Sequence, residues 1–211
     1  MTANATSDSV VVVIDDDDAV RAALKQLLES VGLKVILFGS GTDFLESTIP
    51  DTTCCLVLDV RMPKMSGLKL QEELARAEVQ VPIVFITGHG DIAMAVRAMK
   101  AGAVDFLTKP FGNQDLLDAV FAALERDRAR RTQEESISTL RENYNALSVR
   151  EKEVLSHVAA GRLNKQIAAE LGISEVMVKV HRANGMRKMR AKSVAELVRM
   201  TDLLHAGQTL A

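Results

Sequence analysis

Cysteine is scarce in this chain, and what there is sits in one place. Cys54 and Cys55 are the only two in 211 residues, adjacent and inside an apolar run ending at Leu58. Two neighbouring thiols build neither a disulfide framework nor a zinc site. They read as buried thiols in a reducing cytoplasm. No apolar run is long enough to cross a bilayer, so no membrane partner is expected. The opening residues, MTANATSDS, lack a basic start and an apolar core, so no signal peptide is expected. Proline and glycine are both missing from ERDRARRTQEESISTLRENYNA, residues 125–146. With no strand signal either, that stretch reads as a charged helical run.

What is present is divided unevenly. Hydrophobic residues make up 47%, an ordinary value for a globular protein. Residues 1–125 carry 10 Lys/Arg against 18 Asp/Glu, whereas residues 126–211 carry 16 against 10. An acidic half joined to a basic half implies two domains with different partners, the basic one suited to nucleic acid. In the first half, short apolar runs at Val10–Ile14, Val35–Phe38, Cys55–Leu58, Ile83–Ile86 and Val104–Leu107 alternate with stretches of helical period. This pattern predicts an α/β fold, a doubly wound, five-stranded parallel sheet with helices on both faces. After Leu124 the pattern is all helical. The expected division is a domain at 1–125, a helical linker at 126–146 and a small all-α domain at 147–211. Within the linker, Ile137, Leu140, Tyr144 and Leu147 keep a 3-4-3 spacing, suited to a short helix-pairing seam or to packing at the linker's end alone. SVRE at 148–151 and SVAE at 193–196 each match a Ser-x-x-Glu capping box.

Four carboxylates, Asp15 to Asp18, follow the first strand directly. Asp59 follows the third, Thr87 the fourth and Lys109 the fifth. Carboxyl ends of strands in a doubly wound sheet form one edge, and ligands bind in the crevice there. Three close carboxylates without a counter-charge repel one another, and a hard divalent cation resolves this. Mg²⁺ suits the set, with one carboxylate left to attack phosphorus.

The segments DDDD, LVLDVRMPKMSG (56–67), ITGHGD (86–91) and FLTKPF (106–111), in this order, resemble the receiver domain of two-component response regulators. The resemblance implies a flavodoxin-like fold over about residues 8–125 and makes Asp59 the phospho-acceptor. It implies that Asp16 is a direct Mg²⁺ ligand and Asp15 a direct or water-linked one, with Asp59 and the Arg61 backbone carbonyl completing the protein ligands. Thr87 and Lys109 would grip the phosphoryl group, and the Lys109–Pro110 peptide would be cis. Asp17 and Asp18 would be solvated or cap the first helix. A switch through Thr87 and Phe106 would reshape the helix bearing Met94, Val96, Ala98 and Met99, where dimers form. Arg61 and His89 flank the site and are expected to tune phosphate lifetime.

In the second half, NKQIAAELGISEVMVKVHRANGMRKM (164–189) divides at LGIS into two short helices. That is the helix-turn-helix pattern. At about 100° per residue, Val178, His181, Gly185 and Met189 form a buried side. Lys179, Val180, Ala183 and Arg187 form an exposed side suited to a major groove. Lys188, Arg190 and Lys192 extend a basic surface toward phosphates. Residues 175–192 hold six Lys/Arg against one acid, Glu175. The half resembles the NarL/FixJ output domain, of LuxR type, and that likeness implies base contacts at Lys179 and Val180. The next contact falls at Ala183, which has no hydrogen-bonding group for a base.

Together the two likenesses imply a phosphorylation-switched transcriptional regulator in the cytoplasm. Its partners would be a cognate sensor histidine kinase, double-stranded DNA, a second copy of itself when phosphorylated and, as a further candidate, RNA polymerase. Two rivals stand beside this reading. One is a hydrolase with Asp59 as nucleophile, disfavoured because Arg61 occupies the place where such enzymes carry an acid. The other is a DNA-binding protein whose receiver is never phosphorylated and serves for dimerisation.

Overall fold

Val10–Ile14 forms strand β1, with all five side chains buried, in the computed structural model, which describes residues 9–88 and 92–206. Stiff β-branched side chains favour this extended conformation. β2 (Lys34–Phe38) and β3 (Cys54–Asp59) flank it, and β4 (Ile83–Thr87) and β5 (Asp105–Thr108) extend the sheet. All neighbours are parallel, in the order β2-β1-β3-β4-β5. Ile14 lies beside Leu58 and Leu58 beside Phe85, so the residues that follow leave the sheet along one edge.

Each face has its own apolar layer. α1 (Asp18–Ser30) and the start of α5 (Asn113–Asn145) bring Leu24, Leu28, Leu116 and Val120 onto Val11, Val13, Val57 and Ile86. α2 (Gly41–Leu45), α3 (Gly67–Arg76) and α4 (Ile92–Lys100) bring Phe44, Leu70, Leu74 and Ala98 onto Val12, Ile14, Leu56 and Phe85. Burial on both sides is why the strands are continuous apolar runs. Cys54 and Cys55 enter opposite layers, both buried. Burial is the main cause that raises both thiol pKa values, and the Asp127 charge adds to it.

The chain divides into two units by its contacts, one ending at Arg131 and the next beginning at Thr132. The charge run entered by α5 is therefore seated at its start. Asp127 is fully buried and accepts the Cys54 N–H at 2.9 Å. It also accepts from Arg130 Nη2 at 2.6 Å and Arg131 Nε at 2.9 Å. Arg131 reaches Asp51 at 3.2 Å, and Arg126 reaches the Gly102 carbonyl at 3.4 Å. A buried strand-end N–H needs an acceptor, and Asp127 supplies it.

In the second unit, α6 (Val149–Ala159), α7 (Asn164–Leu171), α8 (Glu175–Met189) and α9 (Val194–Ala206) surround Val154, Leu155, Ile167, Val178 and Leu197. Leu140, Tyr144 and Leu147 pack into this core while Ile137 lies outside it. Their spacing thus serves packing at the end of α5. Ser148 and Glu151 form the expected reciprocal capping box. The second box is half made: Ser193 accepts the Glu196 N–H, but the Glu196 carboxylate takes the Lys192 N–H at 2.7 Å. Glu151 also receives Lys188 Nζ at 2.7 Å. That hydrogen bond, then the one from the Ser148 backbone, holds the Glu151 carboxyl below its usual range.

Replacing Asp127 by Ala orphans the Cys54 N–H. It should lower stability by about 1–3 kcal/mol, read as a shifted urea midpoint with unchanged slope. Glu151 has a depressed folded pKa. Its stabilisation is complete above the ordinary glutamate value and lost as pH falls through the lower folded one. The second unit's thermal midpoint should drop on acidification from about pH 5 to about pH 3, and Glu151→Gln should reduce that dependence.

Candidate functional site

The strand ends converge as charged groups. Asp15 follows β1 and is buried; its Oδ1 accepts the Asp17 N–H at 2.9 Å and its carbonyl accepts Arg21 Nη1 at 2.5 Å. Asp59 ends β3, is buried, and accepts the Arg61 N–H on Oδ2 at 2.8 Å. Lys109 follows β5. Its Nζ donates to Asp15 Oδ2 at 2.8 Å and to Asp59 Oδ1 at 3.1 Å. The Lys109 N–H donates to the Thr87 carbonyl at 2.7 Å, tying the ends of β4 and β5 together. Thr87 is fully buried, and the Lys109–Pro110 peptide is cis. Among the described residues, nothing lies within 4 Å of where a Cβ on Gly88 would stand. Asp17 caps α1 by accepting the Ala19 N–H at 2.8 Å and the Val20 N–H at 3.3 Å. Asp18 pairs with Arg21 on the surface.

The electrostatics are a balance of opposed causes. Burial raises the Asp59 pKa; Lys109 lowers it through its hydrogen bond and its charge, and the net direction is upward. Burial lowers the Lys109 pKa, but the hydrogen bonds and charges of Asp15 and Asp59 outweigh it and the net direction is again upward. The ammonium is thereby kept protonated between two carboxylates.

Lys109 already supplies the counter-charge to Asp15 and Asp59, while Asp16 is exposed to solvent. Among the described residues, no three acidic, histidine or cysteine side chains converge as a ready-made metal cage. The donors nevertheless suit Mg²⁺, which takes one or two hard carboxylate oxygens and keeps water in its remaining positions. His89 lies outside the described residues.

The loop after Asp59 contains a requirement that motif reading passes over. The Val60 N–H donates to the Ile86 carbonyl at 3.1 Å, and the Gly67 N–H returns to the Val60 carbonyl at 2.9 Å. Lys64 turns the chain with a φ of 66°. A Cβ on Gly67 would lie 2.3 Å from the Asp59 carbonyl oxygen. Gly67 is the last letter of the motif around Asp59, and that closeness was the available signal. Phe106 is half-buried against the core, its ring centroid 6.2 Å from that of Phe85.

In the second unit, Gly172 ends α7 in the left-handed conformation, and the Ser174 hydroxyl caps α8 by accepting the Met177 N–H at 3.2 Å. Val178, Gly185 and Met189 are buried and His181 half-buried, as the helical wheel predicts. A Cβ on Gly185 would lie 2.8 Å from Leu155 Cδ1, so glycine here permits close approach of α6 and α8. Lys179, Val180, Ala183 and Arg187 are exposed. Lys188 departs from its expected place at a phosphate: its ammonium is held by Glu151 at 2.7 Å and by the Ala146 carbonyl at 3.2 Å. It lies toward α6, where a buried carboxylate requires a partner.

Gly67→Ala should displace the Asp59 backbone. The expected cost is about 1–3 kcal/mol of stability, measured by urea unfolding.

Comparison with known proteins agrees with both halves. Residues 11–121 match the response regulator receiver domain, and residues 145–201 match bacterial regulatory proteins of the luxR family. The chain is 54% identical over 210 residues to Nodulation protein W of Bradyrhizobium diazoefficiens, covering 97% of this chain and 92% of that one. It is 43% identical over 194 residues to the transcriptional regulatory protein FixJ of Rhizobium meliloti, covering 92% and 95%. Among solved structures, response regulator StyR matches with a TM-score of 0.85 at 49% identity, over 92% of this chain and 98% of that one. Full-length FixJ from B. japonicum matches with a TM-score of 0.57 at 38% identity, over 95% and 98%. Receiver domains generally bind Mg²⁺ at their acidic phosphorylation site, and response regulators pair with sensor kinases. A response regulator receiver and a helix-turn-helix output unit thus occur in one chain, which belongs to the NarL/FixJ family of response regulators, regulators of transcription.

Proposed function

We propose that Asp59 accepts a phosphoryl group from a histidine of a cognate sensor kinase, and that this controls binding of the output unit to double-stranded DNA. The observation that carries the reading is the bridge from Lys109 to Asp15 and Asp59, at 2.8 and 3.1 Å, at the crevice edge of the sheet. In the transfer, a carboxylate oxygen of Asp59 bonds to phosphorus. The bond from phosphorus to the kinase histidine nitrogen breaks, and its electron pair leaves with the imidazole. Lys109 favours the ionised, nucleophilic form of Asp59 beforehand. As the carboxylate charge is spent, its ammonium passes to a phosphoryl oxygen. The Thr87 hydroxyl, at the end of β4, donates to another.

Asp15, Asp16, Asp59 and the Arg61 carbonyl would hold Mg²⁺, which neutralises phosphoryl oxygens when bound. Phe106, packed beside Phe85, would fill space vacated as Thr87 moves. It has no hydroxyl, so its switching rests on packing alone. Arg61 is exposed beside the acceptor and would tune phosphate lifetime; His89 is given the same role from its sequence position alone. Arg61 also speaks against a hydrolase, because a guanidinium does not give up its proton to a leaving group.

The α4 surface supports a phosphorylation-dependent homodimer. Ile92 is 86% exposed, with Val96 and Met99 beside it, while Ala98 belongs to the core. Lys179, Val180, Ala183 and Arg187 would face the major groove. Lys188 is left out of this set because it is engaged by Glu151. Reception resides in residues 1–125 and output in 147–211, joined by the helical stretch 126–146. The chain acts in the cytoplasm, where RNA polymerase is a further partner.

Full-length protein and Asp59→Asn are treated with acetyl phosphate and Mg²⁺, then assayed by phosphoprotein gel and by DNA gel shift. The wild type should take up one base-labile, hydroxylamine-sensitive phosphate and tighten DNA binding roughly 5- to 150-fold, the usual span of coupling between sites. The variant should do neither. Equal DNA affinity of the two would install the constitutive reading, and many phosphates released per chain would install the hydrolase.

A further inference from the structure

The outward line of α8 is apolar. At about 100° per residue, Val176, Val180, Ala183 and Arg187 fall within about 60° of one another, opposite the buried Val178. Val176 is 68% exposed and Val180 45%, and Ala183 is exposed between them and Arg187. Branched aliphatic side chains grouped on one exposed helix face mark a contact surface. Charge says what kind. Lys179 stands on one flank and Arg187 at the end, within a stretch of six basic residues and one acid. The partner must be anionic with an apolar feature set into it. Single strands are held by stacking on aromatic rings, and α8 contains no Phe, Tyr or Trp. The major groove of duplex DNA meets both conditions, and its apolar feature is the thymine C5-methyl group.

We propose that Val176, Val180 and Ala183 read thymine methyl groups, so that operator choice rests on methyl contacts where the output family implies a hydrogen-bonding contact. This rests on the DNA-binding reading above and specifies it. From Val176 to Ala183 the helix rises about 10 Å, the length of about three base-pair steps, so the methyls fall within one half-site. Lys179 and Arg187 anchor the helix; the apolar stripe between them discriminates.

Full-length protein, with acetyl phosphate and Mg²⁺ present, selects duplexes from a random pool. Each thymine of the selected half-site is then replaced singly by deoxyuridine, which removes only the methyl. At fixed salt, affinity should fall about fourfold at one or more positions, equivalent to about 0.8 kcal/mol for one buried methyl. A double variant, Val176→Ser with Val180→Ser, should lose the thymine preference at every position except the one read by Ala183. Its melting temperature checks that it folds, and where it does not, the thymine–uracil comparison on the wild type decides. Equal wild-type affinity for thymine and uracil at every position overturns the proposal while DNA binding stands. Failure to enrich any sequence overturns both. A folded double variant that keeps the wild-type thymine preference at every position also overturns the proposal, and if it loses transcription a protein partner takes the stripe.

Discussion

One ammonium group organises the receiver site. Lys109 reaches from beyond β5 to carboxylates 94 and 50 positions earlier in the chain, at the ends of β1 and β3. It crosses the intervening β4 to do so, and the Thr87 carbonyl holds its backbone while it reaches. The strand order is what brings these groups within hydrogen-bond range. Burial and ion pairing then pull Asp59 in opposite directions. Desolvation makes its charge costly, and Lys109 offsets part of that cost. A phosphoryl group offers the same ammonium an oxygen of equal or greater charge, so the bridge can be exchanged without leaving the lysine unpaired.

The strands were legible because burial on both faces leaves continuous apolar runs, and all five expected runs lie within one or two residues of the observed strands. The site was legible because its members sit at strand ends, a position that periodicity locates. What escaped was the choice of partner. Asp127 sits in a charge run that looks solvated, and its partner is the N–H of Cys54, 73 positions away. Lys188 and Arg187 are adjacent bases on one helix, and only the place of Glu151 assigns the first to packing. Glu196 likewise spends its carboxylate on Lys192 and leaves a predicted capping box half formed. Such choices depend on distances between elements, which local spacing does not encode.

Glycine makes the corresponding point for space. Gly67 lets the loop pass against the Asp59 carbonyl, and Gly185 lets α8 lie against Leu155. The second cost was visible in sequence, since glycine inside a helix costs about 1 kcal/mol relative to alanine. The first was hidden, because a loop glycine is ordinary until its neighbour is known. In both units a functional surface is thus held in place by a residue that contributes no side chain to it.

The two thiols have a practical corollary. Cys54 and Cys55 turn into separate layers of one sheet, shielded from reagents and biased toward their protonated, sluggish form. The folded exterior is accordingly blank to maleimide and iodoacetamide chemistry over the described residues. A cysteine engineered onto α4 or α8 would take a fluorophore or spin label at one address, with the wild-type pair left undisturbed.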